Sequence, residues 1–408
     1  MPIPSRWSTN IPNVSLPTWM FGDPSSPLPD YTAYIDVNQP DTHILSFEDY
    51  RRSGTSGLPK GVETTHSNYV ATGEAAMVRR SLEKQTDQPH RALCFLPLYH
   101  AAAQTVYAID YPKMGVTTYM MPGFNFPQML ECIALFSITE LLVAPPIVQA
   151  LTSPLARKYN LSSVKAIFSG TSPLSPKLAL QAEQLWPNGQ VRIQQAWGMT
   201  ELTGVGAVWD TSSDPIPSSV GEVVPNGTIK LMDGEKEITH PHVPGEIWFS
   251  GPVVMKGYWN NPEATRETIV EEDGVRWLKT GDLAYVDSFD AGARIFLIDR
   301  TKELIKVKGL QVAPAELEAV LLECPGVADA GVIGVQLVDG EAPRAYVVKT
   351  PKSTATVQEI TKWVEERLSE FKWLKGGVVF VNSIPRNPSG KILRRVLREK
   401  AAEEMGVV

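Results

Sequence analysis

The sequence predicts an α/β protein in which a large amino-terminal α/β domain carries a β-rich subdomain and precedes a small carboxyl-terminal α+β domain. Three observations support this prediction. Short apolar runs alternate with helical patterns from residue 65 to about 195, short strands broken by Pro and Gly follow residue 204, and a new helix and strand pattern begins near residue 300. The predicted domains are 1–299, with the β-rich subdomain at about 204–299, and 300–408.

The first region has the pattern of repeated β-α-β units. Its apolar runs are short and rich in strand-forming residues, and the segments between them have helical length and spacing. The predicted strands are 91–96, 116–121, 138–144, 164–168 and 191–194, and the predicted helices include 127–136 and 175–186. This alternation predicts a mainly parallel sheet.

The later regions have a different texture. The predicted strands of the β-rich subdomain are 227–232 and 245–249. The predicted elements of the last domain are a helix at 314–322, strands at 330–335 and 345–349, a helix at 357–368 and a strand at 378–381. About a hundred residues in such a pattern form a compact domain of ordinary size.

Composition and charge exclude several classes of function. The chain has 38 basic and 45 acidic side chains and no long basic run, so we do not expect a nucleic-acid partner. Cys94, Cys132 and Cys324 are isolated, which favours free thiols in a reducing compartment over disulfides or a zinc site. No window predicts a membrane span, and the last residues do not form a peroxisomal tripeptide, so the predicted location is the cytoplasm.

A loop rich in Gly, hydroxyl groups and Lys predicts an anion site. The glycines let backbone N–H groups turn toward an anion, the hydroxyls add donors, and the lysine adds positive charge. The residues concerned are Ser53, Gly54, Thr55, Ser56, Gly57 and Lys60. The loop is not a Walker motif, because Gly61 follows the lysine where Ser or Thr is required. Taken alone, it also fits a surface turn.

Four further segments follow this loop in a characteristic order: 195–201 (QAWGMTE), 279–282 (KTGD), 299–309 (DRTKELIKVKG) and 388–391 (PSGK). Together the five segments resemble the signature set of the adenylate-forming superfamily, most closely its coumarate-CoA ligase and acyl-CoA synthetase branch. The resemblance extends from residue 53 to about residue 395. It implies ATP, Mg²⁺ and CoA as cofactors and a carboxylic acid as substrate.

The resemblance assigns the phosphates and the magnesium ion to the first segments. The loop would enclose the β- and γ-phosphates, Thr200 would contact a phosphate, and Glu201 would ligate Mg²⁺. Oxygen ligands suit this hard cation. The alternative interpretation of Thr200 and Glu201 is a helix cap followed by an exposed acid.

The adenosine contacts are implied in the same way. Trp197, beside Gly198, would lie against adenine, and the segment Gly170, Thr171 and Ser172 would line the other side of the base. Asp282 would accept hydrogen bonds from the ribose hydroxyls, which suits a group that offers only acceptors. Arg300 would contact ribose or phosphate. A buried Trp in the core and an Asp at a Gly turn are the structural alternatives.

Several lysines are implied to separate two half-reactions. Lys391 resembles the mobile lysine that bridges the substrate carboxylate and the α-phosphate during adenylation. Lys302 matches the hinge about which the small domain rotates. The segment implied to serve the second, CoA-dependent half-reaction contains Lys306, Lys308, Gly309 and Gln311. These lysines could also be ordinary exposed residues of a strand or a basic surface.

The acyl substrate is less defined by the sequence. His100, in a Pro-Leu-Tyr-His segment, resembles the histidine that borders the acyl-carboxylate site, although a lone His often has a structural role. Ala101, Ala102 and Ala103 follow it, where plant coumarate ligases carry bulkier groups. We therefore expect a roomier pocket for an aromatic or medium-chain acid. The sequence does not predict an oligomeric state.

The chain departs from the family pattern immediately before the phosphate loop. Asp49, Tyr50, Arg51 and Arg52 do not have the apolar pattern of the buried strand that normally leads into this loop. Residues 5–50 resemble the amino terminus of the family, so on the order of a hundred residues, about one βαβ layer, are predicted to be missing near 50/51. Sequencing of the transcript across this junction is the direct test.

The sequence is compatible with three hypotheses about function. The first is an ATP-dependent acid-thiol ligase that forms acyl-AMP and then acyl-CoA. The second is a noncatalytic or impaired remnant or splice form that binds nucleotide or a partner. The third is an adenylation enzyme that loads a carrier protein, although the segment from Lys306 to Gln311 resembles the CoA ligases more closely.

Overall fold

A computed structural model describes residues 2–12, 34–36, 60–82, 89–209, 215–338, 340–387 and 390–406. The described chain divides into two compact units. The first contains the described residues up to Thr280 and Tyr285–Phe296, and the second contains Gly281–Ala284 and residues 297–406. The predicted junction at 50/51 and the predicted phosphate-loop residues Ser53, Gly54, Thr55, Ser56 and Gly57 lie outside the described residues, as do Pro388 and Ser389.

The described elements alternate as the sequence predicts. The strands are β1 (Ile3–Pro4), β2 (Tyr34–Asp36), β3 (Val62–Glu63), β4 (Arg91–Cys94), β5 (Thr117–Met120), β6 (Glu140–Val143), β7 (Ala166–Ser169), β8 (Ile193–Gln195), β9 (Ala207–Val208), β10 (Glu222–Val223), β11 (Thr228–Asp233), β12 (Lys236–Ile238), β13 (Gly245–Ser250), β14 (Gly257–Tyr258), β15 (Ile269–Glu272), β16 (Val275–Val286), β17 (Ile295–Arg300), β18 (Ile305–Val307), β19 (Leu310–Val312), β20 (Val327–Leu337), β21 (Gly340–Lys349) and β22 (Val378–Phe380). The α-helices are α1 (His66–Ser81), α2 (Ala101–Thr105), α3 (Tyr111–Met114), α4 (Phe126–Phe136), α5 (Pro145–Leu151), α6 (Pro176–Glu183), α7 (Pro262–Thr268), α8 (Pro314–Leu322), α9 (Val357–Glu365) and α10 (Arg394–Met405).

A six-stranded sheet forms the centre of the first unit. Its order is β2-β5-β4-β6-β7-β8, and every neighbouring pair is parallel. Apolar side chains such as Leu93, Leu141 and Ile167 are fully buried because helices cover the sheet. The predicted parallel α/β architecture is therefore confirmed.

One helical segment of this unit contains an irregular turn. A π-helical turn (Val106–Asp110) separates α2 from α3, and Tyr111 N–H donates to Val106 O, five residues earlier. Pro112 explains the irregularity, because a proline has no N–H to donate and its ring clashes with the carbonyl four residues earlier. The segment ends at Gly115 in the left-handed conformation (φ 71°).

In the β-rich part of the first unit, β11 pairs antiparallel with β1, β12 and β13. The sequence analysis did not predict β1. Ile3 is fully buried opposite Ile229, and Ser5 N–H donates to Gly227 O at 2.7 Å. The amino-terminal segment is therefore a strand of the same sheet as β11, which lies more than two hundred residues later in the sequence.

The second unit is built on a three-stranded sheet, β20-β21-β22, with a separate β18-β19 hairpin. Helices α8 and α9 cover one face and α10 covers the other. The Arg394 guanidinium donates to both carboxylate oxygens of Glu318, at 2.7 and 2.8 Å, and this ion pair joins α10 to α8. The predicted small α+β fold of this region is confirmed.

Among the described residues, no helix is both long enough and apolar enough to cross a membrane.

A buried ion cluster joins α1 to the central sheet. Glu140, at the start of β6, accepts hydrogen bonds from Arg80 at 2.7 Å and 3.0 Å, and its Oε1 lies 2.6 Å from His90 Nδ1. Burial alone would raise the pKa of Glu140, but the hydrogen bonds from His90 and Arg80 lower it to about 2.

We predict that Glu140→Gln lowers the free energy of unfolding by about 3 to 5 kcal/mol, because it leaves the Arg80 guanidinium buried without its counter-charge. The Glu140 carboxylate stabilises the fold above its unfolded pKa of 4.5, and this stabilisation is lost as the pH falls toward about 2. Chemical denaturation between pH 3 and pH 7 measures both effects. The exposed Glu131→Gln is the control, and equal stability of the two variants would contradict the prediction.

Candidate active site

Two strand ends bring together segments that the sequence analysis selected for the base. Ser169, the last residue of β7, lies opposite Gln195, the last residue of β8, and Ala196 N–H donates to Ser169 O at 2.9 Å. The segment 170–172 and Trp197 therefore begin at the same edge of the parallel sheet. In open α/β sheets this carboxyl edge is where ligands bind.

Thr171 has a strained backbone. Its φ is 74°, in the left-handed region that β-branched residues rarely adopt. Its Oγ1 is buried and, within the described part of the chain, has no hydrogen-bond partner. Strain of this kind costs about 1 to 3 kcal/mol and is concentrated at ligand sites. The geometry is consistent with the predicted role of the 170–172 segment.

Trp197 and Gly198 have structural roles that do not depend on the predicted contact with adenine. The Trp197 indole is 5% exposed and lies 6.3 Å from the Phe249 ring, centroid to centroid. A Cβ at Gly198 would lie 1.8 Å from Gly204 O, so only glycine fits there. The adenine contact of Trp197 stays a prediction beside this core role.

The centre of the candidate site in the first unit is a contact chain from Lys60 to Glu201. Tyr258 O–H donates to Glu201 Oε1 at 2.8 Å, and Lys60 Nζ lies 4.7 Å from the centroid of the same Tyr258 ring. Pairing of β14 with β3 places Tyr258 opposite Val62, two residues after Lys60. Lys60 and Glu201, selected from two separate motifs and 141 positions apart, thus both contact one tyrosine.

Sequence reasoning missed Tyr258. A tyrosine in a short strand usually packs as part of a sheet, and its contacts with Lys60 and Glu201 depend on the pairing of β14 with β3. The backbone holds the acid as well, because Met255 N–H donates to Glu201 O at 2.8 Å. Backbone hydrogen bonds therefore help to position both residues, at β3 beside Lys60 and at Glu201 itself.

The oxygen donors at Glu201 fit a magnesium ion that is shared with a substrate. Thr200 and Glu201 lie in one 3₁₀ turn, Thr200–Leu202, and supply a hydroxyl and a carboxylate. The described residues contain no group of three or more His, Cys, Asp or Glu side chains able to hold a metal. Mg²⁺ is commonly held by one or two carboxylates together with substrate phosphates and water, so a single acid is sufficient.

His100 caps the helix that follows it. Ala102 N–H donates to His100 Nδ1 at 3.4 Å, at the start of α2. Ala103 is fully buried, whereas Ala101 and Ala102 are half-buried. The cap agrees with the structural alternative for His100, and its position beside the acyl group stays a prediction.

Three predicted residues lie together in the second unit. Arg300 Nε lies 3.0 Å from Asp282 Oδ1, and Asp282 is 7% exposed. Burial lowers the pKa of Lys391 from 10.5 to about 8, and nearby Arg300 acts in the same direction, whereas Asp282 and Glu303 oppose it. Residues from three separate motifs therefore form one charged cluster.

The predicted CoA segment forms a tight hairpin. Lys306 pairs with Gln311 across β18 and β19, and the turn residues Lys308 and Gly309 both have positive φ, 50° and 83°. Such a turn requires positive φ at both central residues and explains the glycine by itself. Lys302, Lys306, Lys308 and Gln311 are exposed, so their roles at the hinge and toward CoA stay predictions.

Known proteins are similar to this chain in both sequence and fold. Residues 53–259, more than half of the chain, match the family model described as AMP-binding enzyme. Residues 316–391 match the model described as AMP-binding enzyme C-terminal domain.

Two curated relatives and one solved structure illustrate the similarity. The chain is 39% identical to an acyl-CoA synthetase of Alternaria alternata over 86% of its own length and 61% of the relative's. It is 40% identical to the 4-coumarate–CoA ligase of Pinus taeda, covering 86% of this chain and 64% of that protein. A structure of the Bacillus subtilis o-succinylbenzoate CoA synthetase with ATP and magnesium superposes with a TM-score of 0.71 at 28% identity, covering 85% of this chain and 68% of that one. The chain thus spans less than two thirds of the two curated relatives.

We predict that Tyr258→Leu weakens the binding of Mg-ATP more than Tyr258→Phe does. Both variants remove the hydrogen bond to Glu201, but Leu also removes the ring under Lys60, a cation–π contact that contributes about 0.5 to 1 kcal/mol. Isothermal titration calorimetry measures the difference. Equal affinities of the two variants would show that the ring does not orient Lys60.

Proposed function

This chain belongs to the family of AMP-binding enzymes, and we propose that it is an acid-thiol ligase that activates a small carboxylic acid with ATP and transfers the acyl group to CoA. The observation that carries the proposal is the cluster of Lys391, Asp282 and Arg300. These residues come from three separate motifs, and a single ligand that contacts all three would explain their convergence.

In the first step a substrate carboxylate oxygen attacks the α-phosphorus of ATP, and the bond to pyrophosphate breaks. Lys391 would stabilise the negative charge that develops between the carboxylate and the α-phosphate. Asp282 would hold the ribose hydroxyls, and Lys60 would meet the outer phosphates. Magnesium, held by Glu201, would supply further charge stabilisation at the phosphates.

In the second step the thiol sulfur of CoA attacks the acyl carbon, and the bond to AMP breaks. The thiol proton leaves to solvent, and AMP departs as the anion. We propose that the exposed β18-β19 hairpin, with Lys306, Lys308, Gly309 and Gln311, guides the pantetheine arm. A turn of two residues with positive φ keeps this hairpin narrow, which suits passage of a thin chain beside the backbone.

The proposed substrate class rests on the residues after His100. Three alanines follow this histidine at the start of α2, where plant coumarate ligases carry bulkier groups, and Ala101 and Ala102 are half-buried. We propose an aromatic or medium-chain acid as the substrate and the cytoplasm as the place of reaction. A panel of aromatic and fatty acids, with CoA or a phosphopantetheinylated carrier as acceptor, tests both the substrate and the acceptor.

A second candidate function is a remnant that binds nucleotide without catalysis. The short coverage of the curated relatives favours it, as does the predicted loss of about a hundred residues near 50/51. If the strand before the phosphate loop is missing, the loop would be less well preorganised. Binding of Mg-ATP without release of pyrophosphate for any acid in the panel would support the remnant.

We predict that Lys391→Ala reduces acyl-AMP formation by roughly a hundredfold or more, since it removes the charge at the reacting phosphate. Conversion of preformed acyl-AMP into thioester should be unaffected. The two half-reactions are measured separately, by pyrophosphate release and by thioester formation. Equal loss of both would contradict this division of roles.

The pH dependence gives a check on the same residue. Because the pKa of Lys391 is about 8, the adenylation rate of the unaltered chain should fall as the pH rises above 8, where the ammonium loses its proton. The thioester step should not show this loss.

A further inference from the structure

We propose that Arg386 and Asp329 form a positioning pair that fixes the loop carrying Lys391, and that this pair is needed for adenylation although neither residue contacts substrate. The inference deepens the proposed function, on which its catalytic consequence rests. Both residues lie in the second unit, as does Lys391. Neither was selected from the sequence.

The loop that carries Lys391 is a narrow hairpin. Arg386 and Ile392 form an antiparallel bridge at its base, and Leu393 N–H donates to Pro385 O at 2.8 Å. Higher in the hairpin, Asn387 N–H donates to Lys391 O and Lys391 N–H donates to Asn387 Oδ1, each at 2.9 Å. The backbone at Lys391 therefore has its hydrogen bonds within the hairpin.

Arg386 connects this hairpin to the sheet. Its Nη2 donates to Asp329 Oδ1 at 2.8 Å and its Nε to Asp329 Oδ2 at 3.4 Å. Its Nη1 donates to Gly390 O at 2.7 Å. One guanidinium thus joins the carboxylate on β20 to the peptide group directly before Lys391. The planar fork of arginine suits this bridge, whereas a single ammonium would not.

Two features indicate positioning beyond general stability. Ile384 and Ile392 anchor the base of the hairpin in an apolar cluster, so the base has a contact with the core that does not involve the ion pair. The Arg386 contact acts on the tip instead, at Gly390, which has a φ of 88°. Asp329 and Arg386 are both part-exposed, so removal of the pair should cost little global stability.

The consequence for Lys391 follows from its surroundings. The charged groups that act on it are Arg300, Asp282, Glu303 and Arg394. If the tip of the hairpin loosens, the ammonium moves out of this cluster into water. A displacement of about 1 Å at a reacting group can cost on the order of a hundredfold in rate.

The test compares Arg386→Gln, Asp329→Asn and the double variant in the full chain, with the exposed Arg395→Gln as the matched loss of positive charge. Competitive acetylation by acetic anhydride, followed by mass spectrometry, gives the pH at which Lys391 titrates. This readout needs no catalysis. Pyrophosphate release gives the adenylation rate, and thioester formation from preformed acyl-AMP gives the second half-reaction.

Both single variants should raise the titration midpoint of Lys391 by about one pH unit, a tenfold change in proton affinity. They should lower adenylation on the order of tenfold to a hundredfold and leave the thioester step unchanged. The double variant should be no worse than either single one, because the residues act as a pair. Arg395→Gln should change neither readout.

An unchanged midpoint in both folded single variants would overturn the positioning role, whatever the activity. Additive effects in the double variant would overturn the pairing. If the midpoint shifts as expected but the unaltered chain forms no acyl-AMP, the positioning of Lys391 holds and the proposed function fails. The two proposals are thus distinguished by different measurements.

Discussion

Local compensation of charge is the constraint on which the rest of this structure depends. The chain has a formal net charge of −7, so any triphosphate must be met by cations placed at the site itself. Lys60, Arg300 and Lys391 are the cations that we propose for this role. Lys60 lies over the Tyr258 ring, Arg300 pairs with Asp282, and the charges of Asp282 and Glu303 act on Lys391. The contacts that place Lys60 and Arg300 come from residues outside their own motifs, so the motifs depend on the rest of the fold for their placement.

The fold provides these placements by different means in the two units. In the first, parallel strands end at one edge of a sheet, and a short antiparallel pair brings Tyr258 between Lys60 and Glu201. In the second, a hairpin and an ion pair fix the position of one lysine. In the first unit, strand pairing of the backbone places the site residues. In the second unit, the Arg386 guanidinium places Lys391, and a single substitution can remove that contact.

The sequence predicted the parallel sheet well, since the observed strands β4 to β8 fall within or beside the predicted runs. Buried parallel strands are continuous apolar runs with few alternatives, and the helix Pro314–Leu322 has the predicted bounds. The amino-terminal strand β1 was not predicted, because two residues carry no periodicity and their partner is β11. The π-helical turn before Pro112 was also not predicted.

The candidate site was predictable only where a motif marks it. Glu201, Asp282 and Lys391 were selected by their neighbours in sequence, whereas Tyr258, Asp329 and Arg386 act through contacts that no spacing reveals. Trp197, Gly198 and Gly309 show the converse difficulty. Each has a sufficient packing or turn role, so the motif alone cannot separate that role from ligand contact.

The central claim is that the motif residues serve the binding of Mg-ATP, and calorimetric titration of nucleotide tests it most directly. The unaltered chain should bind ATP at a single site, more tightly with Mg²⁺. Asp282→Asn should weaken binding about tenfold or more with or without the metal, since it loses a charged hydrogen-bond acceptor. Glu201→Gln should remove only the gain from Mg²⁺. Two classes of site, or unaltered binding in both variants, would contradict the account.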